Sequence, residues 1–299
     1  MHAIILADRA GHELWPLTLS RPVSLLPVGN KTLLQITIEE LFEIGIRSAT
    51  LISHRHAAKV ENAIGDGAQW GFSIRHARTD RPLSPGDALK LAATEQGSDW
   101  LMVRGDMLRP FGFLAEALRR RDSQISADIF MAMGIAVPPG AGEITDISWP
   151  NVHATCKLDP CAIGDIATYH RANVMALGGL VPGLRLHGRP APDRVTIGRG
   201  SRVLTSQMPE TTVAIGDFCL IERGAMIGPN VSIGSHTLVS SGAELSDCVV
   251  LPGTYIGRDM TIRNAIVDGG TLLSVAEGIS LTSPSPALFG EMPEPEDLR

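Results

Sequence analysis

The second half of the chain carries an aliphatic residue at every sixth position: Ile215, Ile221, Ile227, Ile233, Val239, Leu245 and Leu251, then Ile256 and Ile262 after one five-residue step. Two places before most of these stands another small or aliphatic residue: Val213, Cys219, Ala225, Val231, Thr237, Ala243, Val249. A period of six fits neither the helical 3.6 nor simple alternation. It fits a coil whose flat sides each take one hexapeptide. Gly216, Gly228, Gly234 and Gly257 follow the aliphatic position, where a tight corner tolerates no Cβ. The phase extends back through Val203 to Ile197, with Pro209 interrupting it. The pattern predicts a parallel β-helix.

The first half alternates short apolar runs with helical periodicities. Strands are expected at His2–Leu6, Ala49–Ser53, Ser73–Ala77, Trp100–Val103 and Ala127–Ile135. Helices are expected at Lys31–Ile44 (closed by Gly45), His56–Ile64, Asp87–Glu95 and Phe113–Arg120. This order implies a mainly parallel sheet covered on both faces, with ligands at the carboxyl ends of its strands. Asp106 lies at such an end and reads equally as a cap or a metal ligand.

Composition narrows the function classes. There are 26 Lys+Arg against 32 Asp+Glu among 299 residues, a net charge of −6, and no basic run beyond Arg119-Arg120-Arg121. That argues against nucleic acid as a partner. Four scattered cysteines make neither a disulfide framework nor a zinc site, so a reducing cytoplasm is expected. No apolar run approaches the ~20 residues of a bilayer span, so no membrane insertion is expected. With 31 Gly and only 4% aromatics, small side chains and turns carry the fold, as a narrow coil requires. His236 follows Gly234-Ser235 and reads as a turn residue, the alternative being the general base of a β-helix acyltransferase.

Motifs in the first half resemble those of the sugar-1-phosphate nucleotidyltransferases, most closely the mannose-1-phosphate guanylyltransferase-like branch that ends in a left-handed β-helix. They are Ile4-Ile5-Leu6-Ala7, Pro16-Leu17-Thr18, Arg21-Pro22, Leu25-Leu26-Pro27-Val28-Gly29-Asn30-Lys31, Gly65-Asp66-Gly67, Trp70-Gly71, Ala88-Leu89-Lys90-Leu91-Ala92 and Gly105-Asp106. Asp165-Ile166-Ala167-Thr168-Tyr169 with Arg171-Ala172-Asn173 is similar to the family's Asp-Ile-Gly-Thr segment. The resemblance implies transfer of a nucleotidyl group from an NTP to a sugar 1-phosphate, with release of pyrophosphate and Mg²⁺ assistance. By the same resemblance Leu6, Ala7, Gly11 and Gly86 line the nucleotide, and Asp106 and Asp165 hold the metal. The implied fold is α/β: a shortened Rossmann-type, mainly parallel sheet over residues 1–175, a linker at 176–194, a left-handed parallel β-helix of hexapeptide repeats at 195–275 and a tail at 276–299.

The sequence also departs from that family. Where the family runs Gly-Gly-x-Gly-Thr-Arg, this chain has Asp8, Arg9, Ala10, Gly11, His12 and Glu13, so two carboxylates face the expected polyphosphate. The lysine of the family's Arg-Pro-Lys-Pro is Val23, and its Gly-Thr-Ala-Gly is Ser84-Pro85-Gly86-Asp87. The stretch from Ala136 to Ile163 is short, with Asn151, His153 and Lys157 as its polar candidates. Asp106 also reads as the cap of a turn, and Asp165 as the cap of a helix through Tyr169 and Asn173. Three functions therefore stand: a divergent transferase of nucleotide-sugar and polysaccharide biosynthesis; a catalytically silent relative acting as a regulatory or assembly subunit; and an acyltransferase. A homo-oligomer, or a hetero-oligomer with an active relative, is expected.

Overall fold

A computed structural model describes residues 1–92, 100–109, 112, 114–115, 135–137, 161–192, 194–205, 208 and 212–292, with 85, 135–137 and 161–162 as backbone only. The expected helix Phe113–Arg120 and strand Ala127–Ile135 lie largely outside these residues, as do Asn151, His153, Lys157 and the tail after Met292. The chain divides into two compact units, Met1–Leu26 with Thr32–Ile163, and Pro27–Lys31 with Gly164–Arg299.

The first unit is built on a sheet in the order Ser73–Arg78, Ser48–Ser53, His2–Ala7, Trp100–Arg104, Ile135–Val137. The first four strands run parallel and the last antiparallel. Strand β1 (His2–Ala7) is buried on both faces, which is why it reads as a continuous apolar run. Ala3 and Ile5 pack with Leu34, Ile38 and Leu41 of helix α1 (Leu33–Glu43). Ile4 and Leu6 face Ala88 and Ala92 of the helix Pro85–Ala92 on the other side. Thr32 caps α1 by accepting from the Gln35 amide, so the helix starts two residues later than its periodicity suggests. It ends where Gly45 turns left-handed (φ 88°) and the Ile46 amide donates back to the Leu41 carbonyl. The strands flanking β1 arrive from opposite directions in the chain order. The switch point, where such folds place their ligands, therefore lies between β1 and Trp100–Arg104.

The second unit is a parallel β-helix. Three aliphatic stacks run through its coils: Ile215, Ile233, Val250 and Val267; Ile221, Val239 and Ile256; Ile227, Leu245 and Ile262. The register corrects the periodicity at one point. Ile233 pairs with Val250, not Leu251, so the five-residue step falls between Leu245 and Val250. Val249, Val250 and Leu251 are all aliphatic and all buried, and only the pairing of Val231 with Cys248 chooses among them. Val249 and Leu251 lie outside the coil core, while helix α2 (Ile166–Leu177) packs against the outer side of these strands.

At the corners the expected exclusion of a Cβ holds, and its cause is the neighbouring stretch of chain. Gly216, Gly234 and Gly257 are needed for close stacking rather than for a left-handed backbone: a Cβ on Gly234 would stand 2.4 Å from the Pro252 amide nitrogen. The left-handed corner positions are others, recurring once per coil. Gly200, Phe218, His236 and Gly253 form one ladder; Gly224, Gly242 and Asp259 a second; Asn230, Asp247 and Asn264 a third. His236 (φ 58°) is thus a rung of a corner ladder, stacked on Phe218 at 5.3 Å. Asn and Asp tolerate this conformation because their short polar side chains bond locally, as Asn230 does in donating from Nδ2 to Asp247 Oδ1 at 2.7 Å. Among the described residues no helix is long and apolar enough to cross a membrane.

Gly234→Ala should destabilise the second unit by about 1–3 kcal/mol, the range for overpacking against atoms that cannot yield. Gly270→Ala, with nothing within 4 Å of the added carbon, should be nearly neutral. Urea unfolding of the two variants provides the comparison.

Candidate functional site

At the switch point β1 leads into Asp8 and Arg9, and its neighbour, ending at Arg104, leads into Gly105 and Asp106. Gly105 stands there because a Cβ would meet Leu34 and Ile5 at 2.9 and 3.0 Å. The four charged residues form one network. Asp106, with its side chain 1% exposed, accepts two bonds from Arg104, Nε to Oδ1 at 2.8 Å and Nη2 to Oδ2 at 2.9 Å. Arg9 approaches the same carboxylate, Nε to Oδ2 at 2.9 Å, and reaches Glu13 at 3.4 Å. Its Nη2 donates to the Ile163 carbonyl at 2.6 Å, which draws Arg9 across the mouth of the loop. Burial alone would raise the Asp106 pKa, but the guanidiniums of Arg104 and Arg9 outweigh it and hold the pKa at about 2.

Asp8 is equally buried and differently satisfied. Its Oδ2 accepts from the Leu83 amide at 2.7 Å, which ties the loop after β1 to the segment leading into Ser84–Gly86. Burial raises its pKa, with Asp106 adding to the shift and Arg104 opposing it. A second buried pair fixes the turn from below. Arg109 donates from Nε to Glu40 Oε2 at 3.1 Å, from Nη2 to Thr37 Oγ1 at 3.0 Å and from Nη1 to the Arg104 carbonyl at 2.8 Å. The Glu40 Oε1 accepts from the Leu114 amide at 3.2 Å, so all members of the pair are bonded.

The sequence-derived nucleotide residues divide accordingly. Leu6 and Ala7 are buried in β1. Gly11 is left-handed (φ 70°), and a Cβ there would lie 2.5 Å from Val23 Cγ2. Val23, standing where the family has its lysine, is 1% exposed and packs against this loop as an apolar plug. Gly86 is buried in the first turn of the helix Pro85–Ala92. Asp165 lies in the second unit and opens α2 with a capping box. Its Oδ1 accepts from the Thr168 amide at 2.7 Å, while Thr168 Oγ1 accepts from the Asp165 amide at 2.9 Å. The same helix joins two motif pieces that are far apart in sequence: Tyr169 Oη donates to the Pro27 carbonyl at 2.7 Å and the Gly29 amide to Asn173 Oδ1 at 3.1 Å.

These donor sets do not fit a magnesium ion as they stand. Both Asp106 oxygens face guanidinium nitrogens, and Asp165 Oδ1 serves a helix N-terminus. Among the described residues no group of three or more His, Cys, Asp or Glu is placed to hold a metal. Sequence reasoning missed Arg104, Arg109 and Glu40. A charged residue ending an apolar strand, and a glutamate on the apolar face of α1, were the available signals.

Residues 2–138 match the family described as Nucleotidyl transferase, and residues 209–278 match the GMPPB C-terminal domain. The two domains follow one another in this order along the chain, which resembles the sugar-1-phosphate nucleotidyltransferases over most of its length. It is similar to a glucose-1-phosphate thymidylyltransferase of Streptomyces antibioticus, with 24% identity, 92% of this chain covered and 87% of the other. A protein from Oryza sativa subsp. japonica named probable mannose-1-phosphate guanylyltransferase 1 is 26% identical over 89% of this chain and 86% of its own. The translation initiation factor eIF2B subunit epsilon of Schizosaccharomyces pombe is 30% identical over 46% of this chain and 22% of its own length.

The depressed Asp106 pKa has a definite sign. Its folded value lies below the unfolded one, so its stabilisation is complete above about pH 4 and is lost as pH falls toward 2. The loss should be about 2 kcal/mol. Asp8, with a raised value, acts in the opposite sense, favouring the folded state as it protonates. Asp106→Asn should remove the acid-side slope and, at neutral pH, lower stability by about 3–5 kcal/mol by removing the buried charge that two guanidiniums share. Tryptophan fluorescence during urea unfolding at a series of pH values measures both effects.

Proposed function

We propose that this protein serves nucleotide-sugar supply for glycan synthesis as a sugar-1-phosphate nucleotidyltransferase-like protein that does not turn over. In this reading it is a cytoplasmic regulatory or assembly subunit, working as a homo-oligomer or beside an active relative. One observation carries the reading: the Asp106 carboxylate is buried between Arg104 and Arg9. A cation entering there would have to displace two guanidiniums from a carboxylate that they share in a low-dielectric pocket. The surrounding residues support the same reading. Val23 supplies packing where a transferred phosphate would need a cation. Asp8 is engaged with Leu83 rather than presenting amides to a polyphosphate.

The second reading is an active transferase, acting on an NTP and a sugar 1-phosphate with Mg²⁺. The relatives named as transferases, which match along most of their length, favour it. In that reading the loop after β1 would bind the nucleotide beside Gly11 and Gly86, and Arg9 would leave Asp106 to meet the phosphates.

Calorimetric titration with GTP, ATP, UTP, CTP and dTTP, each with and without Mg²⁺, separates the two. The expected result is no Mg²⁺-dependent binding and no pyrophosphate release when sugar 1-phosphates are added. Micromolar binding of one NTP with pyrophosphate release would establish the second reading.

A further inference from the structure

The second unit holds a cavity of about 1010 Å³ at the leading end of its β-helix. Ile197 and Val203 form its floor. They begin the apolar stacks, Ile197 beside Ile215 and Val203 beside Ile221. Val203 belongs to the terminal strand of its sheet, so no earlier rung covers that side among the described residues. The strand Arg189–Ala191 closes the other side by pairing antiparallel with Val195–Ile197.

The rim has a different chemistry. Arg189 and Arg199 are exposed and border the cavity, and the Arg199 charge is near enough to Asp217 to help lower its pKa. Arg199 lies 5.5 Å from the centroid of Phe218, whose half-exposed ring rests against Gly200. The one rim carboxylate, Asp217, is already satisfied. Its Oδ1 meets His187 Nε2 at 2.9 Å and accepts from the Arg199 amide at 2.6 Å. With two arginines against one carboxylate the rim is positive even when His187 is neutral. Guanidinium forks recognise phosphoryl oxygens in pairs, and an apolar floor behind them suits a ring or an alkyl body. A cavity of this size accommodates a ligand as large as a nucleotide.

We propose that this mouth is a binding site for a small phosphorylated ligand, with its phosphoryl groups on Arg189 and Arg199 and its less polar body over Ile197 and Val203. An acidic peptide would match the charge but would leave the apolar surface of Ile197 and Val203 unused. The site stands whether or not the first unit turns over, because every residue in it belongs to the β-helix and the segment leading into it.

The test is calorimetry on the full chain without Mg²⁺, using inorganic pyrophosphate, a nucleoside diphosphate, a nucleoside diphosphate sugar and a sugar 1-phosphate as probes. Pyrophosphate and at least one of the larger probes should bind, with affinity falling as salt rises. The double substitution Arg189→Ala with Arg199→Ala should weaken binding at least tenfold while leaving the unfolding midpoint unchanged, since both side chains are exposed. Arg78→Ala, an exposed arginine of the other unit, should leave it unaltered. Binding of no probe at millimolar concentration, or binding that survives the double substitution, would overturn the site. A nucleoside diphosphate no tighter than pyrophosphate would overturn the role given to the floor.

Discussion

A carboxylate out of reach of water must find a countercharge within the protein, and at Asp106 it finds two. That requirement organises the first unit. Arg104 ends the strand and turns back onto Asp106, and Arg9 crosses from the end of β1 to the same oxygens and on to the Ile163 carbonyl. Arg109, itself neutralised by Glu40, donates to the Arg104 carbonyl and fixes the turn that presents Asp106. In a relative that uses a divalent cation the positive charge arrives with the ligand. Here the chain itself brings two guanidiniums to that carboxylate.

The β-helix solves a different problem with repeated geometry. Each coil covers the one before it, so backbone approach at the corners is set by the neighbouring coil rather than by local turn type. Gly216 and Gly234 face backbone or side-chain atoms of the next coil at distances no Cβ permits, while Phe218 and His236 hold left-handed corners that elsewhere favour glycine. The strain is accepted because the stacks of Ile, Val and Leu on both sides fix the corner in place. At the trailing end Phe289–Glu291 pairs antiparallel with Thr254–Ile256, capping that edge. At the leading end, the described residues leave an apolar mouth rimmed by arginines.

Much of this was legible in the chain. The sixfold repeat fixed the coil, since side chains in a narrow interior must be aliphatic at each flat side, and the alternation before it fixed the parallel sheet. Asp8, Glu13 and Val23 marked the nucleotide loop as altered, because charge and its absence at motif positions have meaning before any geometry is known. The position of the short step was not legible, because Val249, Val250 and Leu251 are interchangeable in a pattern and only the pairing with Ile233 separates them.

The sequence by itself determined the two kinds of architecture and the positions where residue types depart from the motifs it resembles, since these depend on periodicity and on residue type at fixed spacing. Only the tertiary structure decided what Asp106 does. A strand-end aspartate before a turn is compatible with a cap, a metal site or an ion pair. The choice rests on Arg9, nearly a hundred residues away in sequence, arriving at the same carboxylate as its neighbour Arg104. Partners of a buried charge are selected by proximity in the folded chain, and no local pattern encodes that.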